Sequence, residues 1–493
     1  MSEAPDLERL RRAIDELRTN ACAQEAELSA DLARLSPTHT AAGRNLAHYL
    51  ALRQHDLREL QGNLAALGLS SLGRSERCVM ATLNAVGHAL ACLTDHAVEE
   101  RPPPVPPVGF AVADDLLRRH TDALLGPAPA GRAARIMLTL PPGTDSTELE
   151  ALLAGGADVI RLNCSKDTPA EWGEIIERVR SLATARGRHC AILCDLAGPN
   201  PRTASLRGES DVIARVGVGA RLLLARPGRE LPDVLPGVAA VLGCTLPAVL
   251  DDLLPGERIY YDDGKLSGVV RELRPDGVLV EITWARKERV KLRPGKGLNF
   301  PDSTLRLPAL TPKDLDDLAF VARRADMVGL SFVRSVEHVE MLQRELERLG
   351  AGELGLVLKI ETTRAFQELP RLLLAAMRSP RVGIMVARGD MAIELGFERL
   401  AEAQEEVLWL SEAASVPVIW ATQVLESLNK TGIPSRAEVT DAAMAGRAEC
   451  VMLNQGTHLL EASRFLNDVL ERMEQHQQKK RSMLRRLRIS QLS

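Results

Sequence analysis

Apolar positions repeat along this chain with two different periods. In the first hundred residues the spacing is helical. Leu7, Leu10, Ile14 and Leu17 fall on one face, and Leu28, Leu32 and Leu35 continue at 4-3 spacing. Ser36-Pro37-Thr38 predicts a break there, followed by a second helix over 45–67 that stops at Gly68. A proline run at 101–107 predicts a stiff linker and the clearest boundary in the chain. Beyond it, short apolar runs rich in β-branched residues alternate with helical segments. Eight such runs stand out, at 135–140, 159–163, 190–196, 327–332, 355–360, 382–387, 416–422 and 450–454. Runs that are apolar throughout mark strands buried on both faces, and eight of them alternating with helices predict an α/β fold, a (β/α)8 TIM barrel. About 130 residues separate the third run from the fourth, and that interval carries regular Pro-Gly and Asp-Gly turn signals. It predicts a small β-barrel domain inserted at 204–297. The expected organisation is a helical region with its linker over 1–130, a barrel built from 131–203 and 298–478, and a basic tail at 479–493. That tail is expected to be a frayed helix end.

Composition narrows the class. Lys and Arg number 62 against 66 Asp and Glu, so the formal charge of -4 supplies no field to attract nucleic acid or an anionic membrane. No apolar run reaches the ~20 residues that span a bilayer, and the charged start lacks a signal-peptide core, which predicts a cytoplasmic protein. Eight scattered cysteines have neither CxxC nor zinc spacing, predicting free thiols.

Barrel enzymes carry their chemistry at the C-terminal ends of the strands. Those ends hold Thr139; Arg161, Asn163 and Ser165; Asp195 with Arg202; Ser331 and Arg334; Lys359 and Glu361; Arg388 and Asp390; Thr422; and Asn454. Any one of these has a plain reading as a surface ion-pair partner; the collection points to a site. Glu361 and Asp390 end neighbouring strands and suit one Mg2+ ion, with water and substrate oxygens completing an octahedron. Arg161, Arg202 and Lys359 add positive charge, the need of phosphoryl transfer. Asn163, Ser165 and Asp195 are hard oxygen donors that suit either a monovalent cation or hydrogen bonds within the loops.

These residues sit in stretches that resemble the pyruvate kinase family: VIRLNCS (159–165), DLAGPNPR (195–202), GERIYYDDG (256–264), GKGLNFP (295–301), KIE (359–361), IMVARGDMAIE (384–394), IWATQVLES (419–427) and PSRAEVTD (434–441). The resemblance covers about 134–475 in the family's order. It implies transfer of a phosphoryl group from phosphoenolpyruvate to ADP, with Mg2+ and K+ as cofactors. It implies Lys359, Thr422 and Arg161 as catalytic residues, with Ser331, Gly389 and Asp390 joining them around the substrate. Glu361 and Asp390 become the Mg2+ ligands, and Asn163, Ser165 and Asp195 the K+ ligands. Asn163, Arg202 and Lys296 become nucleotide contacts, and the insert a nucleotide lid. PSRAEVTD lies near subunit contacts in the family and implies a homo-oligomer. The family's C-terminal domain finds no counterpart, so sugar-phosphate regulation is not expected.

The departures are local. The family's NFSHG reads Asn163-Cys164-Ser165-Lys166-Asp167; Asn200 follows Gly-Pro where the family has Glu or Lys; Pro141 replaces a glycine; and the LSGETA acid is lost at Leu453-Asn454-Gln455-Gly456-Thr457. Two other readings stay open, a Mg2+-dependent barrel lyase and a non-catalytic relative. ADP binding separates the first from a kinase.

Overall fold

The computed structural model describes residues 5–94, 103–208, 214–226, 236–474, 476–479 and 481–482. The barrel strands are β1 (Arg135–Thr139), β2 (Val159–Asn163), β3 (Ala191–Asp195), β4 (Met327–Leu330), β5 (Gly355–Ile360), β6 (Val382–Ala387), β7 (Val418–Ala421) and β8 (Cys450–Leu453). They pair in parallel in chain order, and β8 closes on β1. Every predicted apolar run holds one of them. These strands are buried on both faces because helices cover the outside and the strands' own inward side chains fill the interior.

Between β3 and β4 the insert forms a seven-stranded sheet, running from Leu298–Asn299 at one end to Thr203–Arg207 at the other, and a separate two-stranded pair. The end strands meet at their bases. Leu298 N–H donates to Pro201 O at 2.9 Å and Thr203 N–H to Lys296 O at 2.8 Å, so the sheet curls almost to closure. Its own apolar cluster includes Leu222, Val278, Val280, Ile282 and Phe300. The predicted turn at 226–228 falls largely outside the described residues.

The N-terminal helices are α1 (Leu7–Glu27), α2 (Thr40–Leu52), α3 (Arg58–Ala66), α4 (Val79–Leu93) and α5 (Phe110–Leu125). α1 buries Leu10, Ile14 and Leu17, the face its spacing predicts. The single helix expected over 45–67 is two, α2 and α3. Asp56 breaks it: its carboxylate takes the Arg58 N–H at 3.1 Å and the Arg58 guanidinium, starting a new helix at that point. The helices belong to the same apolar cluster as the barrel. Asn45 reaches across it, donating to Ala413 O at 2.9 Å, and Ser36 N–H donates to Met377 O at 3.0 Å.

α5 does something the sequence does not announce. Its Leu124 and Leu125 enter the bottom of the barrel and pack among Met137, Leu193, Val357, Met385 and Met452. Gly355 and Gly383 make room: a Cβ on either would lie 2.7 or 2.5 Å from Leu124. Arg101 and Pro102 of the predicted linker lie outside the described residues. After the last helix, Leu459–Glu474, the chain makes a short antiparallel pair at Gln477–Gln478 and Arg481–Ser482 instead of the frayed helix end expected. Lys480 and the arginines of the tail beyond 482 are outside the described residues. All eight cysteines are free thiols, and among the described residues no helix is long and apolar enough to cross a membrane.

Where the N-terminal helices meet the barrel, His39 is buried at 1 % exposure, its ring edge-to-face with His120. Burial pushes its pKa down to about 3; the charge of His120 adds to this and the Pro380 carbonyl opposes it. A histidine in the unfolded chain titrates near pH 6.5. Between those values the unfolded chain binds a proton that the folded chain refuses, so this contribution to stability is full above pH 6.5 and is lost as pH falls toward 3. His39→Leu is expected to flatten the acid decline of the denaturation midpoint between pH 6.5 and 4.5. An unchanged slope would exclude His39 as its source.

Candidate functional site

The barrel puts charged side chains side by side at the ends of adjacent strands. Asp195, at the end of β3, is fully buried. Its Oδ2 accepts from Arg161 Nε at 2.9 Å and Nη2 at 2.5 Å and lies 3.1 Å from Lys359 Nζ. Burial alone would raise its pKa; Lys359 and Arg161 outweigh that and hold the carboxyl below its usual range. Asp195 Oδ1 is also buried but has no hydrogen-bond partner. It abuts Gly329, where a Cβ would come within 2.1 Å, so any side chain at 329 would displace it.

Lys359, 8 % exposed at the end of β5, sits among three oxygens. Its Nζ donates to Ser331 Oγ at 2.8 Å and lies 3.0 Å from Glu361 Oε1, in addition to its contact with Asp195. Ser331 Oγ in turn donates to Leu196 O at 2.7 Å, which fixes the hydroxyl. Burial would strip the lysine of its proton; Asp195 and Glu361 reverse that and raise its pKa, so an ammonium stands at the centre of the mouth. Glu361 is fixed by a second contact, the Phe332 N–H to Oε2 at 2.7 Å. Phe332 adopts a left-handed φ of 55° to deliver it.

Asp390 lies in the first turn of the helix Arg388–Leu395, directly after β6. Burial, then the charge of Glu361, pushes its pKa up to about 7, with Lys359 opposing. Two carboxylates facing each other with too little positive charge between them are a donor set that a divalent cation satisfies. Among the described residues no group of three or more His, Cys, Asp or Glu converges to hold a metal ion.

Thr422 follows β7 with φ 62°, and Gln423 with φ 58°. Left-handed conformations cost of order 1 kcal/mol or more for residues with side chains and persist where their surroundings enforce them. The enforcement comes from Arg388. It donates from Nε to Ala421 O at 3.0 Å and from Nη2 to Thr422 O at 2.5 Å, pairs with Asp441 at 2.5 Å, and lies 5.0 Å above the Trp420 ring. The sequence places Arg388 among the cations of the mouth; the structure turns it behind the mouth as a brace. Asp441 is its missed partner, invisible in the sequence because 53 residues separate them. Gly389 N–H donates to Thr422 Oγ1 at 2.8 Å, joining the β6 and β7 ends.

The remaining residues fall in two places. Arg161, Asn163, Thr139, Lys166, Asn454 and Gln455 line one cavity of about 260 Å3. The altered positions 166, 167, 454 and 455 therefore line one cavity, from the two sides of β1. Asn163 Oδ1 accepts from Ser165 N–H at 3.1 Å and Ser165 Oγ at 2.8 Å. Arg202 and Lys296 come together at the foot of the insert, where Arg202 bridges to Gly297 and donates to Gly295 O at 2.9 Å, while Lys296 Nζ lies 3.2 Å from Asp262.

Residues 131–459 match the family model for the pyruvate kinase barrel domain. The chain belongs to the pyruvate kinase family. It is 32% identical over 351 residues to a pyruvate kinase of Methylorubrum extorquens, covering 70% of this chain and 69% of that one. It is 33% identical over 330 residues to a pyruvate kinase of Mycobacterium intracellulare, covering 66% of each. A pyruvate kinase of Leishmania mexicana is 32% identical over 362 residues, covering 73% of this chain and 69% of that one. The chain thus spans about two thirds of the length of these relatives. The pyruvate kinase match contains all eight barrel strands, the insert and every strand-end residue named above; α1–α5 lie before it.

Proposed function

We propose that the protein transfers the phosphoryl group of phosphoenolpyruvate to ADP, giving pyruvate and ATP. The observation that carries this reading, beside the family, is the buried ammonium of Lys359 held between Asp195, Glu361 and Ser331 at the barrel mouth. Glu361 and Asp390 would hold Mg2+, and their mutual repulsion in a partly buried site is what fits them to it. Held there, Mg2+ would supply positive charge against the phosphoryl oxygens. Asp195, whose Oδ1 is buried and unpartnered, would be offered to K+ together with Asn163, its register partner on β2, and Ser165, which hydrogen-bonds Asn163.

In this reading each residue acts at a named atom. Arg161 is clamped edge-on by Asp195 through Nε and Nη2, which orients its guanidinium along the cavity to take a phosphate oxygen. Lys359 Nζ offsets the negative charge that develops as the phosphoryl group leaves the enolate oxygen. Thr422 Oγ1 already accepts the Gly389 N–H, so its own proton points elsewhere and is the one placed to reach the carbon that gains a proton. The backbone turn of Gly389 and Asp390 meets the substrate carboxylate. Asn163, Arg202 and Lys296 take the nucleotide, and Lys166 contributes an ammonium where the family has histidine. The insert's turn at 262–264 touches the helix after β6, a Cβ at Gly264 lying 2.9 Å from Ile393, so the lid rests on the mouth and limits hydrolysis.

Pyruvate is expected from phosphoenolpyruvate, ADP and Mg2+ in a coupled dehydrogenase assay, with K+ increasing the rate. Pyruvate formed without ADP would favour a different phosphoenolpyruvate enzyme. No turnover in a folded protein that binds Mg2+ would overturn the assignment and point to the altered residues on the 260 Å3 cavity.

A further inference from the structure

The Thr422 hydroxyl sits on a turn that its own residues do not hold. Thr422, Gln423 and Leu425 take left-handed φ of 62°, 58° and 47°, in the run between β7 and the helix Glu426–Thr431. None of them is glycine, so the run keeps this shape while its neighbours enforce it. The enforcement arrives from Arg388 and Gly389, directly after β6. Arg388 Nε and Nη2 donate to the Ala421 and Thr422 carbonyls, and the Gly389 N–H donates to Thr422 Oγ1. Where Arg388 lies therefore sets both the main chain and the hydroxyl of Thr422.

A guanidinium on a long stem takes its direction from its partners. The Trp420 ring, 5.0 Å from Arg388 Cζ, confines it to a layer. Within that layer Nη1 donates to Asp441 Oδ1 at 2.5 Å. Among the described residues Asp441 is the carboxylate that pairs with Arg388, whose charge is buried at 6 % exposure. Asp441 is carried on the helix Arg436–Ala445, which a capping box of Ser435 and Glu438 anchors. It does not line the cavity at the mouth. Among the described residues no bond joins it or Arg388 to Arg161, Asp195, Lys359 or Glu361. The cations of the mouth and the brace behind Thr422 are two separate networks.

We propose that Asp441 is a positioning residue for proton transfer: by pinning Arg388, it sets where the Thr422 hydroxyl points. This rests on the phosphotransferase reading above. In that reaction the bond from phosphorus to the enolate oxygen breaks as one forms to an oxygen of ADP. The enolate left behind then gains a proton at its methylene carbon. The C=C pair becomes the new C–H bond, an oxygen pair closes the carbonyl, and solvent restores the proton to Thr422. Lys359 and Arg161 serve the first step, and neither touches the brace. Losing the Asp441 charge frees a buried guanidinium to turn toward other acceptors, and the turn at Thr422 loses its reference. The second step should suffer and the first should be spared.

The test is Asp441→Asn in the full-length protein, which keeps the shape of the side chain and removes its charge. With phosphoenolpyruvate, ADP and Mg2+, kcat is expected to fall about tenfold or more, with both KM values within about twofold of wild type. The solvent-deuterium isotope effect on kcat should rise, because proton transfer becomes the slow step. Exchange of the pyruvate methyl hydrogens with D2O, followed by NMR with Mg2+, should fall at least as far as kcat, and Asp441→Glu should restore part of both. Wild-type kcat and exchange in Asp441→Asn would overturn the proposal. So would a lower kcat with an unchanged isotope effect, which marks a general loss of structure. Should the variant melt well below wild type, the isotope effect still decides, since a ratio between two solvents does not depend on the fraction folded. No pyruvate from wild type would overturn the phosphotransferase reading and this one with it; an active wild type beside an unmoved variant overturns this one alone.

Discussion

Lys359→Met is expected to lower kcat for pyruvate formation by about a thousandfold or more while leaving Mg2+ binding measurable by calorimetry. Methionine keeps most of the buried stem and removes only the charged head, so what is lost is mainly electrostatic. Single preorganised donors aimed at developing charge are worth about 10²–10³ in kcat. Lys359 carries a full charge in a site where water screens little, so the upper end of that range is the minimum expected. Mg2+ binding should survive because Glu361 keeps its second anchor, the Phe332 N–H at 2.7 Å, and Asp195 keeps both bonds from Arg161. A melting curve separates this from unfolding. Turnover within tenfold of wild type in a folded protein would remove Lys359 from the mechanism.

Arg77→Met carries the second large effect, on stability. Arg77 and Glu412 are each 3 % exposed and pair at 2.7 Å from Nε to Oε1, and Asp114 takes the other side of the guanidinium. The three belong to the loop before α4, the helix Leu400–Ala413 of the barrel, and α5. Breaking a buried pair by removing one partner typically costs about 3–5 kcal/mol, because the partner's charge stays buried and uncompensated. The urea midpoint should fall accordingly. The double variant Arg77→Met/Glu412→Leu should recover most of the loss, since no charge is then stranded. A single variant that melts like wild type would show that water reaches Glu412.

What the sequence made legible follows from the range of the interactions. Each barrel strand is specified by its own short, mainly apolar run of four to six residues, so β1 to β8 could be read one at a time. The insert was legible because Pro-Gly and Asp-Gly turns are local signals. Lys359, Glu361 and Asp390 were legible as residues at strand ends, which fixes their neighbourhood without their contacts. That Lys359 meets Ser331, and that Arg388 turns away toward Asp441, depends on side chains 28 and 53 residues apart. The division of 45–67 into two helices was missed because one carboxylate, Asp56, outcompetes the helix for a backbone N–H. That the N-terminal helices pack on the rest of the molecule was their plain reading and holds; which barrel elements they cover was not legible, because amphipathic spacing says that a face is covered and not by what.

The floor supplied by Leu124 and Leu125 has a consequence for how this protein was assembled over time. A barrel whose lower opening is stopped by a helix from an upstream region is no longer a portable module. Cut at residue 130, it would present a ring of methionine, valine and leucine side chains to water. Lys166 and Gln455 at the mouth are exposed, whereas the floor is buried. The floor ties two stretches of the gene to one fate: a change in the size of Leu124 must be answered at Gly355 or Gly383, and the helices can be neither shed nor traded without the catalytic half.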